Sequence, residues 1–347
     1  MRHNRIRPQL PHPNPKGARH DEPREPEPRH GRQAQAGRDR HLQPGMSTTT
    51  EWPVGFWSAE LHPWGQLPCA RRAAPAPREV RRFVPRSANS AQEVRAVATL
   101  ARVRIEAIDY EVGGRRMVGQ LAVDDYRPGL RPAVLLCHEG LGLDEHVKGR
   151  AVRLAGLGYL AFALDYQGQG EGQGEPALRD EAIARLAALM PDADLTRSLA
   201  RAGLDVLLAQ EQVDPGRVAA IGYCFGGAVA LELARTGADL KAVVGFHPSL
   251  SSAKPADSRN IKGSVLMCCG ADDPIVTSDQ RLTFEAEMKE ARVADWRIEV
   301  YGGVGHSFTN PRVSELEMPG FAFDAAADRR SWRSMLDLLE ETLGSAI

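Results

Sequence analysis

"AAIGYCFGGAVALELA", residues 219–234, passes from an unbroken apolar run through a turn of small residues into a stretch with helical spacing. The first part reads as the end of a strand buried on both faces, the second as a helix, with Cys224 at the corner between them. A side chain held at the top of so sharp a turn needs small residues two positions away on either side, and Gly222 and Gly226 supply them. The following helix would aim its N-terminus at the thiol, which favours the reactive thiolate. Taken alone, a G-x-C-x-G pattern decides little, because a buried cysteine is a common core residue.

The surrounding chain supplies a sheet for this turn to sit on. "RIEAIDYEV" and "RMVGQLAVDD" alternate as an antiparallel pair around Gly113-Gly114. "AVLLCHE" (133–139) and "YLAFALDY" (159–166) are continuous apolar runs ending in polar residues, and "HVKGRAVRLAGLG" between them has helical spacing and stops at glycine. "KAVVGFHP", "GSVLMCCGADD" and "WRIEVYGG" read as further strands, with helices over about 177–190, 194–210, 226–236, 279–291 and 325–343. Strands alternating with helices imply an α/β fold, a mainly parallel central sheet covered by helices on both faces. In such sheets ligands bind beyond the carboxyl ends of the strands.

Residues 1–97 are of a different kind. The first 100 residues hold 14 of the 24 prolines and carry 17 Lys and Arg against 9 Asp and Glu, whereas the remaining 247 carry 27 against 36. So proline-rich and aperiodic a stretch cannot bury enough apolar surface to offset its ordering entropy. It is expected to be a disordered leader, or one not translated at all if the start lies at Met46 or near residue 97. Residues 98–347 form the folded domain. The acidic body gives no electrostatic footprint for nucleic acid. No apolar run reaches membrane-spanning length, and the first 30 residues lack a signal-peptide core. Five cysteines (69, 137, 224, 268 and 269) follow neither a disulfide framework nor metal spacing, which fits a cytoplasmic setting, free thiols and no metal.

Glu139, Asp165, Cys224, Asp273 and His306 stand at or just beyond predicted strand ends. Three of them fall in the order nucleophile, acid, histidine: Cys224 at the turn, Asp273 in "CCGADDPIV", His306 in "GGVGHSF". That is the α/β-hydrolase order. In such a set the thiol attacks a carbonyl carbon, the imidazole moves the proton, and the carboxylate fixes the imidazole tautomer. Singly, Asp273 before Pro274 reads as a turn former and His306 as a loop residue; together and in order they read as a catalytic set.

From about residue 100 onward the chain resembles the dienelactone hydrolase family, on "CHEGLGL", "GYCFGG", "GADDPIV" and "GHSF". The resemblance implies an α/β-hydrolase fold, a Cys224-His306-Asp273 triad and hydrolysis of a lactone or small ester with no cofactor. It further implies that Glu139 contacts the resting thiol until substrate displaces it, and that the N–H groups of Phe225 and Gly140 form the oxyanion hole. The N–H after the nucleophile is also the donor expected on general grounds. Dienelactone hydrolases proper hold the substrate carboxylate with two arginines, where this chain has Asn310 and the Gln167-Gly168 pair. Arg150, Arg153 and Arg201 are candidates to replace them. Tyr166, His247, Ser307 and Asn310 are candidate pocket residues.

Rival readings are weaker. "GQGEGQGE" (168–175) does not complete G-x-G-x-x-G in either register and reads as a loop over the site. His138 has no metal-ligand partner three or four residues away, and Cys268-Cys269 read as core. Acyl transfer to an alcohol or amine on the same triad, or a ligand or redox sensor on the hydrolase scaffold, stay open as alternatives. The expected partner is a small-molecule lactone or ester, with either a monomer or a homodimer as the assembly.

Overall fold

The computed structural model describes residues 102–168 and 176–346; the expectations for residues 1–97 and for most of the 168–175 loop lie outside them. Eight strands form one sheet: β1 (Val103–Val112), β2 (Arg115–Asp124), β3 (Arg131–Cys137), β4 (Leu160–Leu164), β5 (Val213–Tyr223), β6 (Ala242–Phe246), β7 (Ser264–Gly270) and β8 (Trp296–Tyr301). Their order across the sheet is β1-β2-β4-β3-β5-β6-β7-β8. β1, β2 and β4 pair antiparallel, and every pairing from β4 through β3 to β8 is parallel.

The antiparallel hairpin follows from its turn. Gly113 and Gly114 take φ of 58° and 78°, the left-handed pair that a two-residue hairpin demands. The parallel strands follow from their composition. β3, β4 and β6 are buried at every residue, because helices cover both faces. One face is covered by α1 (Glu145–Gly156) and α6 (Ala325–Leu343). The other is covered by α2 (Pro176–Leu189), α3 (Ala193–Leu208), α4 (Phe225–Arg235) and α5 (Ser278–Glu290). Alternate residues along each strand feed the two core layers: Leu135 and Cys137 on one side, Val134 and Leu136 on the other.

Each predicted helix falls within two or three residues of its expected bounds, and the mainly parallel sheet with helices on both faces is the α/β-hydrolase arrangement expected. Cys268 and Cys269 lie fully buried in β7 as core residues. The described cysteines 137, 224, 268 and 269 are all free thiols. No helix among the described residues is long and apolar enough to cross a membrane.

Candidate active site

Cys224 is the corner between β5 and α4, with φ 53° and ψ −122°. A non-glycine residue in that region is strained by about 1–3 kcal/mol. The flanking glycines allow it. A Cβ on Gly222 would lie 2.0 Å from the Gly226 carbonyl oxygen, and one on Gly226 would lie 2.3 Å from the carbonyl oxygens of both Cys137 and His138. His247 (φ 40°), at the end of β6, and Ser307 (φ 53°), beside His306, are also left-handed non-glycine residues. Thus three of the strained positions lie around one point, beyond the carboxyl ends of the strands.

At that point the structure brings three predicted side chains into a hydrogen-bonded chain. Cys224 Sγ lies 3.1 Å from His306 Nε2, and His306 Nδ1 lies 2.7 Å from Asp273 Oδ2. Asp273 does both things its sequence suggests. Oδ1 accepts the backbone N–H groups of Ile275 and Val276 (2.8 and 2.9 Å) to close the turn, leaving Oδ2 for the imidazole. His306 is fixed by its backbone, which donates to Gly320 O and accepts from Ala322 N, and by edge-to-face contact with Phe321. Burial alone would lower its pKa. The Cys224 sulfur and the Asp273 carboxylate outweigh that and raise it to about 10, so the imidazole holds its proton at neutral pH.

The two backbone N–H groups expected near the thiol are those of Phe225 and Gly140. Phe225 opens α4, where no intrahelical acceptor exists, and Gly140 follows β3; among the described residues neither N–H donates to a protein acceptor. Gln167 and Tyr166 hold the β3 loop in place. Gln167 Nε2 donates to Gly140 O, and the Tyr166 hydroxyl donates to His138 O at 2.7 Å. Asp165 accepts the N–H groups of Val118, Gln167 and Gly168, which makes it an organiser of this corner.

Glu139 differs from what the resemblance implies. Its carboxylate is bonded to Asn310 Nδ2 (2.9 Å), while the thiol is bonded to His306, so the resting contact between Glu139 and Cys224 is not present. The short amide of Asn310 reaches the glutamate directly. Burial, reinforced by the negative charge of Asp144, raises the Glu139 pKa to about 7 against the opposing pull of Asn310, His306 and Ser307.

The pocket candidates separate. Tyr166 lines a small apolar cavity with Phe225, Leu189, Leu199, Thr196 and Val229, and its ring stacks on His138 at 3.7 Å. Ser307 and Asn310 act on Glu139. His247 is completely buried, with both ring nitrogens engaged inside the protein. The arginine candidates are committed elsewhere. Arg150 donates to Thr309 O (2.9 Å), pairs with Asp328 and lies over Trp332; Arg153 stacks on the same ring at 4.0 Å; Arg201 pairs with Asp205 along α3. Thr309 and Asp144 were not singled out from the sequence. Asp144 had a signal, since an aspartate before a helical pattern is an N-cap. Thr309 had none, because its partner lies far away in the chain. Among the described residues no group of three or more His, Cys, Asp or Glu side chains could hold a metal ion.

Comparison with known proteins agrees with the geometry. A solved dienelactone hydrolase-like promiscuous phosphotriesterase from metagenomic libraries, P91, is 40% identical over 70% of this chain and all of its own, with a TM-score of 0.65. The solved structure of m3DLH is 41% identical over 70% of this chain and 99% of its own, with a TM-score of 0.66. A Yersinia pestis protein assigned as a carboxymethylenebutenolidase is 27% identical, covering 67% of this chain and 87% of its own. The dienelactone hydrolase family model matches residues 120–343, from within β2 to the end of α6, and so takes in the elbow, the acid turn and the histidine loop. A match of that extent makes the chain a member of the dienelactone hydrolase family, and hence a hydrolase of carboxylic esters or lactones.

Proposed function

We propose that the enzyme hydrolyses neutral lactones or small carboxylic esters through a thioester on Cys224, with His306 and Asp273 completing the triad. The observation that carries this reading is the hydrogen-bonded chain from Asp273 through His306 to Cys224. Cys224 Sγ, as thiolate paired with imidazolium, attacks the carbonyl carbon, and the carbonyl electrons move onto oxygen. The N–H groups of Phe225 and Gly140 receive that charge. Collapse breaks the C–O bond, and His306 gives its proton to the leaving oxygen, which in a lactone stays tethered to the acyl group. The neutral imidazole then takes a proton from water as it attacks the thioester, and the thiolate leaves, restoring the ion pair. The reading needs no cofactor, and the free thiols of the described cysteines suit a cytoplasmic setting.

Neutral substrates are preferred because the position that carries an arginine in dienelactone hydrolases proper is here Asn310, whose amide is bonded to Glu139. A second reading, phosphotriester hydrolysis by the same thiol, is favoured by one observation, the 40% identity to P91. The test is turnover of p-nitrophenyl acetate and of a p-nitrophenyl dialkyl phosphate by the wild type, Cys224→Ala and His306→Ala. Triad members act as a unit, so each substitution should cost several orders of magnitude in kcat with circular dichroism unchanged. Activity retained by folded Cys224→Ala would refute the thioester route.

A further inference from the structure

His247 belongs to no catalytic set, yet it meets Cys224, His306 and Glu139 of this one. It is fully buried, and its backbone is held left-handed at φ 40° by an N–H···O bond of 2.7 Å to Cys268 O. Its Nδ1 accepts the backbone N–H of Cys224 at 3.1 Å, a proton shared with Phe246 O at 3.0 Å. Because Nδ1 accepts, the ring proton sits on Nε2. That Nε2–H donates to Thr309 Oγ1 at 2.8 Å, three residues beyond His306, and lies 3.7 Å from Glu139 Oε1. Glu139 Oε1 is itself buried and has no hydrogen-bond partner among the described residues. The ring also meets His306 edge to face, with centroids 5.2 Å apart.

We infer that His247 is a positioning residue for the reaction, an imidazole whose Nδ1 accepts the Cys224 N–H and whose Nε2–H holds the histidine loop through Thr309 and faces the unpartnered oxygen of Glu139. The inference rests on the thioester reading of the site. The surroundings fix its charge state. Burial first, and then His306, His146 and Arg150, hold its pKa well below the ordinary value. Glu139 is faced by Asp144, His306, Ser307 and Asn310, and by His247 from the β6 side. Of these, only His247 approaches Oε1 with an N–H while lacking a charge of its own to lose on titration. Loss of that dipole leaves the ionised glutamate less favoured, so Glu139 titrates at higher pH.

Two amides divide the ring's functions. His247→Gln places an N–H near Nε2 and gives up the acceptor at Nδ1, whose partner keeps Phe246 O. His247→Asn keeps an acceptor near Nδ1 and gives up the donor. The measurements are kcat and KM for p-nitrophenyl acetate from pH 5 to 9, with melting temperature, alongside Cys224→Ala. The expected result is a kcat about tenfold lower in His247→Asn, KM within twofold, and the midpoint near neutrality displaced upward by half a pH unit or more. His247→Gln should restore kcat to within about threefold and return the midpoint. Values of kcat within twofold of wild type in both variants overturn the inference. So does a loss of activity that tracks melting temperature equally in both with the pH profile in place, since that is the behaviour of a structural residue. Activity surviving in Cys224→Ala would sink the thioester reading itself, a result the His247 variants cannot produce.

Discussion

Glu139 is a carboxylate in a place that does not welcome its charge. Its pKa rises from the ordinary 4.5 to about 7, chiefly through burial and then through Asp144. A group whose folded pKa is raised binds its proton more tightly in the folded chain than in the unfolded one. Its contribution to stability is therefore complete below about pH 4.5 and is lost as pH rises through 7. The full interval corresponds to roughly 3 kcal/mol. Glu139→Gln keeps an acceptor for Asn310 and removes the charge, so it should melt above the wild type at pH 8, with the gain shrinking toward nothing at pH 5. Thermal melts at the two pH values check this, and an equal gain at both would remove Glu139 ionisation as the cause. If the same substitution also changes kcat, the enzyme keeps a costly buried charge because the chemistry uses it.

The elbow makes its demands at the scale of an element. Cys224 can hold φ 53° because β5 and α4 meet with no side chain at Gly222 or Gly226. In Gly226→Ala the added Cβ would meet two backbone carbonyls of the β3 end, at Cys137 and His138, which cannot turn aside as a flexible side chain can. Overpacking of this kind costs about 1–3 kcal/mol. The strand it pushes leads into the loop that carries Glu139 and Gly140, so the loss of kcat should exceed what the fall in melting temperature accounts for. Gly149, in α1, has open space around its missing Cβ, and Gly149→Ala should be neutral or stabilise by about 0.5–1 kcal/mol. Melting temperature and kcat for the pair check the contrast. The elbow was legible in the sequence because its requirement is local, glycine at fixed spacing between a strand pattern and a helix pattern. The inner strands were legible because burial on both faces leaves an unbroken apolar run. The partner of Glu139 was not, since Asn310 lies 171 residues away and nothing in its neighbours says where its amide points. From the sequence, His247 reads as a strand-end residue and a candidate for the pocket. That it faces inward toward Cys224 and Thr309 follows from the left-handed turn at φ 40°, which no local pattern announces.

Across the whole molecule the charge argues for neutral substrates. Residues 101–347 carry 36 acidic against 27 basic side chains, so an anion approaches a body of its own sign. A buried substrate carboxylate would need a charged partner, and a guanidinium suits it because its fork matches two oxygens. Four arginines of the described body make contacts elsewhere. Arg150 would have to leave Asp328, Thr309 O and the Trp332 ring; Arg153 would have to leave that ring; Arg281 donates to Gly270 O and Val276 O; Arg312 pairs with Glu315. Asn310 is bonded to Glu139 and accepts from Arg312 N, so its amide is not free for a ligand either. Removing one partner of a desolvated ion pair costs about 3–5 kcal/mol, which is more than a hundredfold in kcat/KM. The enzyme should therefore turn over the methyl ester of a carboxylated dienelactone with a higher kcat/KM than the free acid at pH 7.5. Raising the salt concentration should narrow the difference only slightly, because a missing partner inside the pocket is not screened as a surface charge is. The measurement is kcat/KM for the two compounds at low and high ionic strength. A preference for the free acid would mean that an arginine reaches the pocket after all, and Arg150→Lys and Arg153→Lys, assayed on the free acid, would show whether either one moved.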